Sequence, residues 1–192
     1  MDFGFQRIMI IRENHKIIID TYPFADSIKD NIIADSTKFP FTREKYNGDG
    51  GLTNVRALQT DVIRDIDEFS SVKLLLRWVL DILPDCANCK LAISEFWIAN
   101  YGQGDFTISH HHHPALYSFV YFVQSPKGSS PLVFTTSGRR IKPDEGKLVL
   151  FPASMLHRVP KNRCDDRIVL AGNIIFLHFN EQGPGALKIS PI

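Results

Sequence analysis

Nowhere does this 192-residue sequence hold an apolar run long enough to cross a bilayer, which takes about twenty residues as a helix. Its opening, MDFGFQRIMIIRENHK, lacks a basic segment followed by a long apolar stretch and a small-residue cleavage site. A soluble, cytoplasmic protein with no membrane partner is therefore expected. Cysteine is scarce. The three present are an odd number and build no disulfide framework. Cys86 and Cys89 make a single C-x-x-C, CANC, whereas a structural zinc site needs two such pairs or one pair with suitably spaced histidines. Reduced loop cysteines are expected there. An excess of either charge is also missing: 22 Lys and Arg face 21 Asp and Glu, so no overall field would hold the chain on a polyanion, and nucleic acid is not implied as a partner.

What is present is enough apolar content, 44%, to bury one sizeable core. One domain over residues 1–192 is expected: strands and buttressing helices in 1–88, the main core in 89–180, and a tail in 181–192. The runs RIMIIRE and HKIIID, joined by ENH, read as a hairpin or a pair of edge strands. Val55, Leu58, Val62, Ile66 and Phe69 recur at spacings of three and four, which predicts an amphipathic helix. Ser70 and Ser71 offer an N-cap to a second helix, VKLLLRWVLDIL, closed by Pro84. Between them and the first runs, KFPFTREKYNGDGGLTN concentrates Gly, Pro and Asn, as a surface loop does. Its Tyr46 to Leu52 part is a candidate cover for a site.

After Cys89 the apolar period becomes two. KLAISEFWIANY, ALYSFVYFV, PLVFTT, GKLVLFP and RIVLAGNIIFLHF are strand-length runs separated by turn signals, with no helical pattern between them. The fold class expected is mainly β with supporting N-terminal helices: a sandwich, jelly roll or barrel.

Four of the seven histidines then stand together, His110 to His113, in an apolar and aromatic surrounding. An expression tag would sit at a terminus. On a strand, His110 and His112 share one face while His111 and His113 take the other. Two imidazoles on one face can share a metal ion, and His157, in LVLFPASMLHRV, is the candidate third ligand. Ten residues further on, Arg167 enters an apolar strand. A cation there needs an anionic partner, either a ligand carboxylate or the adjacent Asp165 or Asp166.

The series Tyr101-x-x-Gly104-x5-His110-x-His112, then SFVYF at Ser118 to Phe122, GKLVLFP at Gly146 to Pro152, His157, Arg167 and Asn173 resembles the iron(II)/2-oxoglutarate-dependent oxygenases. The likeness is to the prolyl 4-hydroxylase-like branch and to oxygenases found in phage genomes. It covers roughly Ile93 to Phe179, and no motif before Cys86 takes part. The resemblance implies a double-stranded β-helix, the cupin-like jelly roll, with Fe(II) held by His110, His112 and His157. It implies 2-oxoglutarate as co-substrate with its C5 carboxylate on Arg167, ascorbate as a possible reductant, and Tyr101, Ser118, Tyr121 and Asn173 as further co-substrate contacts. A phage-type protein of this kind would be virus-encoded and act in the host cytoplasm. Two departures stand out: His112 occupies the place of an Asp or Glu ligand, and Phe122 stands where some relatives carry a co-substrate-binding tyrosine. In the family pattern, counting from Gly104 and from Ser118 selects His110 and His112, which leaves His111 and His113 as surface or substrate-rim groups.

Three functions compete on this reading. The first is a dioxygenase that hydroxylates an unactivated C–H bond of a prolyl or other protein side chain or of a small molecule, releasing succinate and CO2. The second is a cupin-like metalloprotein with three histidine ligands that does not use 2-oxoglutarate. The third is a jelly-roll module without enzymatic activity. Arg167 separates the first from the second, because a simple cupin site has no need of a carboxylate clamp there.

Overall fold

A computed structural model describes residues 14–43, 53–63, 66, 69–83 and 90–177. The elements in chain order are β1 (Ile18–Thr21), α1 (Ala25–Ser36), β2 (Phe41–Thr42), β3 (Val55–Arg56), β4 (Leu58–Thr60), α2 (Ser70–Asp81) and β5 (Lys90–Tyr101). There follow β6 (Phe106–His110), β7 (Tyr117–Gln124), β8 (Leu132–Phe134), β9 (Arg140–Ile141), β10 (Lys147–Pro152), β11 (His157–Val159) and β12 (Arg167–Leu177). They form two antiparallel sheets: a seven-stranded one ordered β1-β10-β7-β12-β5-β4-β2 and a five-stranded one ordered β3-β6-β11-β8-β9. This is the mainly β jelly roll expected, with two helices lying on the large sheet.

The large sheet is buried on both faces, and its strands divide their side chains between two cores. Ile93, Phe96 and Ile98 of β5 and Ile168, Leu170 and Ile174 of β12 join Ile28 and Ile32 of α1 and Leu75, Leu76 and Val79 of α2. The alternate residues Ala99, Tyr101, Phe122, Val149, Phe151 and Val169 meet Leu132, Phe134 and Val159 of the small sheet. Gly172 sits where β12 lies tightest. A β-carbon there would stand 2.6 Å from the Glu95 carbonyl oxygen and 2.8 Å from the Phe119 ring, so no larger residue fits without movement.

Several local expectations are corrected. Among the described residues of the 55–69 stretch there is no helix: β3 pairs with β6, β4 pairs with β5 and β2, and Ile63 bridges to Phe96. Leu58 and Val62, two members of the expected apolar helix face, are 39% and 41% exposed. Sheet pairing overrides the spacing, because this segment carries the chain from one sheet to the other. The helical support comes instead from α1, whose Ile28 and Ile32 are one turn apart and buried. α2 forms as expected but begins at Ser70, with Phe69 in the cap position and no side-chain cap. β1 pairs antiparallel with the distant β10, Ile18 opposite Leu150. RIMIIRE, the Tyr46 to Leu52 loop, Pro84, the Cys86–Cys89 pair and the 181–192 tail lie outside the described residues.

Leu76 has no solvent exposure and lies in the α2 contact with the large sheet, away from the second core. Leu76→Ala is expected to lower stability by about 2–5 kcal/mol through lost transfer energy and a residual cavity. Urea unfolding measures this loss, and metal binding at the histidines should persist in the folded variant.

Candidate metal centre

His110 ends β6 and His157 begins β11, and the two are direct cross-strand partners. Their rings lie 4.4 Å apart. His112 stands two residues beyond His110 and past the end of the strand, where its N–H donates to the Ala153 carbonyl at 2.8 Å. That bond turns the chain so that the His112 ring comes within 4.8 Å of His110 and 5.2 Å of His157. One ring nitrogen from each of the three residues lies within 4.8 Å of the others.

Hydrogen bonds select the tautomer. The Nδ1 of His110 meets the Ile108 carbonyl at 2.9 Å and that of His157 meets the Met155 carbonyl at 2.9 Å. With Nδ1–H donating in each, Nε2 is left unprotonated as a metal donor. Burial, followed by repulsion from its histidine neighbours, pushes the His112 pKa down to about 3, and burial similarly lowers His157 to about 4. His110 is lowered for the same first cause. Three neutral imidazoles therefore face one another without any carboxylate among the described residues of the cluster. Asp105, the nearby carboxylate, is committed elsewhere: Arg43 grips both its oxygens at 2.6 and 3.0 Å, and the Gly102 N–H donates to it at 2.8 Å. His111 and His113 are exposed, and the His113 N–H donates to the His111 ring at 3.2 Å.

A cavity of about 40 Å³ is lined by all three histidines and, at another part of its wall, by Arg167. Arg167 is 1% exposed. Its Nε donates to the Ser130 carbonyl at 3.1 Å, its guanidinium lies 4.6 Å from the centre of the Tyr101 ring and 5.6 Å from that of Phe122, and its Nη1 is buried without a partner. Neither neighbouring aspartate answers it. Asp165 accepts from the Gln103 N–H at 2.9 Å, and Asp166 takes a left-handed backbone, φ 58°, with its carbonyl receiving Gln124. Native proteins seldom leave such a donor unsatisfied, so an acceptor is missing at this point.

Of the other residues singled out, Tyr101 lines the cavity with its hydroxyl 2.7 Å from that of Thr107, and burial raises its pKa. Ser118 lines it too and donates to Asn173 Oδ1 at 2.8 Å. Asn173 is not part of the wall; its Nδ2 donates to Glu95 at 2.9 Å, so it braces Ser118 from behind. Tyr121 is a correction. It faces the helices, in contact with Tyr22, because β7 turns Ser118, Val120 and Phe122 inward and Tyr121 outward. Phe122, not Tyr121, flanks Arg167.

Sequence reasoning missed three contributors. Asn162 is 2% exposed and ties together the surroundings of Arg167: its Nδ2 donates to the carbonyls of Tyr101 and Cys164 at 3.2 and 2.8 Å, and its Oδ1 receives the Ser130 N–H at 2.9 Å. Thr107 lies an odd number of residues from His110 yet reaches the same cavity. One extra residue between the pairs His157–His110 and Val159–Thr107 makes a bulge that turns it inward. Trp97, whose ring centre is 5.6 Å from that of His112, could have been found only from its parity with Tyr101 on β5.

No family model matches the chain, and no curated protein matches its sequence. Its fold is that of solved 2OG-Fe(II) oxygenases. A viral collagen prolyl hydroxylase from Paramecium Bursaria Chlorella virus-1, solved as its 2OG complex, is similar at 17% identity and a TM-score of 0.61, covering 82% of this chain and 94% of that one. A Pseudomonas putida prolyl-4-hydroxylase is similar at 18% identity and 0.61, covering 85% and 94%. An oxidoreductase of the 2OG-Fe(II) oxygenase family from Burkholderia pseudomallei is similar at 15% identity and 0.62, covering 89% and 86%.

The histidine pKa values give the metal-free protein a pH signature. The unfolded chain takes up a proton on each histidine near pH 6.5, whereas the folded protein resists until about pH 4 at His157 and about 3 at His112. The unfolded state thus binds more protons in that window, and stability falls as pH drops through it, by up to roughly 1.4 kcal/mol per pH unit for each histidine. Urea midpoints should be level above about pH 7.5 and decline below 6.5. The decline should be shallower in His112→Phe.

Proposed function

We propose that this chain is an iron(II)- and 2-oxoglutarate-dependent dioxygenase that hydroxylates an unactivated C–H bond, releasing succinate and CO2. The observation that carries this reading is the buried Nη1 of Arg167, partnerless in the wall of a cavity whose other residues include three converging imidazoles. A guanidinium in that state fits a carboxylate, which accepts two parallel hydrogen bonds. A cupin-like metal site that did without 2-oxoglutarate would leave the cation unanswered.

His110, His112 and His157 would hold iron(II) through Nε2, with the backbone carbonyls at Ile108 and Met155 fixing two of the rings. Bound iron supplies the dioxygen chemistry. Arg167, set by Ser130 and by the Tyr101 ring, would bind the C5 carboxylate of 2-oxoglutarate. The Tyr101 and Thr107 hydroxyls and Ser118 would orient the rest of it. Phe151, Leu132, Val159 and Val169 keep the cavity dry, which strengthens each of these polar contacts. Because the imidazoles add no charge, the full +2 of the metal faces the dianionic co-substrate, more than in a site with one carboxylate ligand. Ascorbate is the reductant to include in assays. The collagen prolyl hydroxylase among the structural neighbours makes a prolyl or other protein side chain the first substrate to try, in a cytoplasmic setting. Among the described residues no helix is long and apolar enough to cross a membrane.

Anaerobic addition of iron(II) and 2-oxoglutarate should produce a metal-to-ligand charge-transfer band, and admitting oxygen should then yield succinate. Arg167→Leu should weaken 2-oxoglutarate binding by about 3–5 kcal/mol, the range for breaking a buried charge pair, with iron affinity little changed. Co-substrate affinity unaltered in that variant would end the clamp assignment.

The histidine ligands are tested separately by metal titration. His112→Ala should lose most of the iron affinity and His112→Asp should recover it, while His111→Ala and His113→Ala change little. Full iron binding by His112→Ala would remove it from the ligand set.

A further inference from the structure

A second cavity opens on the same histidines from another side. It measures about 300 Å³ and shares His110, His112, Val55 and Trp97 with the inner one, but neither Arg167 nor Tyr101 belongs to it. Its remaining wall is the 53–62 segment, which crosses between the sheets. A space of that size takes a small molecule or one long side chain.

The chemistry of the wall is one-sided. Asp61 is exposed on it, and neither the Asp61 carboxylate nor the Asn54 side-chain amide has a hydrogen-bond or ionic partner among the described residues, although the Asn54 backbone carbonyl accepts from the Ile108 N–H at 3.0 Å. One N–H of the Gln59 amide donates to Thr53 Oγ1 at 3.3 Å, and its carbonyl oxygen is available as an acceptor. No lysine or arginine lines the cavity among the described residues. The wall therefore offers a carboxylate, amide oxygens and the face of Trp97, a combination that suits a cation able to donate several hydrogen bonds. A phosphate or carboxylate group would meet Asp61 with nothing to offset the repulsion. A prolyl ring would leave that carboxylate unused.

We infer that the substrate carries a protonated amino or guanidino group, held by Asp61 and Trp97 in this cavity while a C–H bond of its carbon chain lies toward the histidines. The inference rests on the dioxygenase reading. On that reading the metal's +2 and the dianionic co-substrate cancel, and the remaining +1 of Arg167 stands in the wall of the inner cavity but not of this one, so the histidine side does not strongly repel a cation here. The step balances as C–H to C–OH: one atom of O2 enters the substrate and the other enters succinate as 2-oxoglutarate loses CO2. Two electrons come from the C–H bond and two from the keto acid.

The test uses the full chain with four probes: the Nα-acetyl amides of lysine, arginine, norleucine and proline. Paramagnetic broadening of their proton NMR lines is read with manganese(II) on the histidines, and the charge-transfer band with iron(II) and 2-oxoglutarate is recorded separately. The lysine and arginine amides should be broadened at concentrations where the norleucine and proline amides are not. Asp61→Asn should weaken that binding at least tenfold. Asp30→Asn, an equal charge change on the solvent side of α1, should leave it unaltered. Equal broadening of norleucine or proline amide, or cation binding indifferent to Asp61→Asn, overturns the inference. Absence of the charge-transfer band would instead sink the dioxygenase reading, and the broadening with manganese(II) is still read in that case.

Discussion

Enclosing the Arg167 guanidinium in an apolar interior costs several kcal/mol unless other groups offset it, and the surrounding structure is arranged around that cost. Ser130 supplies one acceptor, the Tyr101 and Phe122 rings supply polarisable faces, and Asn162 fixes both the Ser130 amide and the Tyr101 carbonyl in place. One Nη is left over. An arrangement that leaves a guanidinium nitrogen of a buried cation without an acceptor is costly as mere scaffolding, and a ligand carboxylate there would offset that cost.

The histidines obey a complementary logic. All three are held neutral by burial, His110 and His157 are pinned through Nδ1 to the carbonyls two residues before them, and a strand pair and a turn bring the three together. On the proposed reading a neutral ligand set would raise the charge that a metal presents, and the Arg167 guanidinium stands in the same cavity wall. Both features favour a dianion that can reach the two.

Much of this was legible in the sequence. Period-two runs located β5, β7, β8, β10 and β12, and the parity of His110 and His112 together with the distant His157 identified three residues that the fold does bring together. What failed has physical causes. Where the large sheet is buried on both faces, alternation no longer marks inside from outside, so Tyr121 could not be told from Phe122. The bulge between β6 and β11 shifts parity and hid Thr107. The Val55 to Phe69 spacing imitated a helix by mixing buried Ile66 and Phe69 with Leu58 and Val62, which the β4 and bridge pairings leave 39% and 41% exposed, so apolar identity did not report burial there. Asn162 acts through backbone groups, which no side-chain pattern records.

The two halves of the site also belong to different sheets. His110 and His157 ride on the five-stranded sheet and Arg167 on the seven-stranded one. A metal ion alone braces only the smaller layer, and an anion on the arginine alone braces only the larger. A molecule that touched both would act as a rivet through the sandwich, damping the breathing of one layer against the other, and the protein would be mechanically most rigid with both sites filled by a single bridging pair.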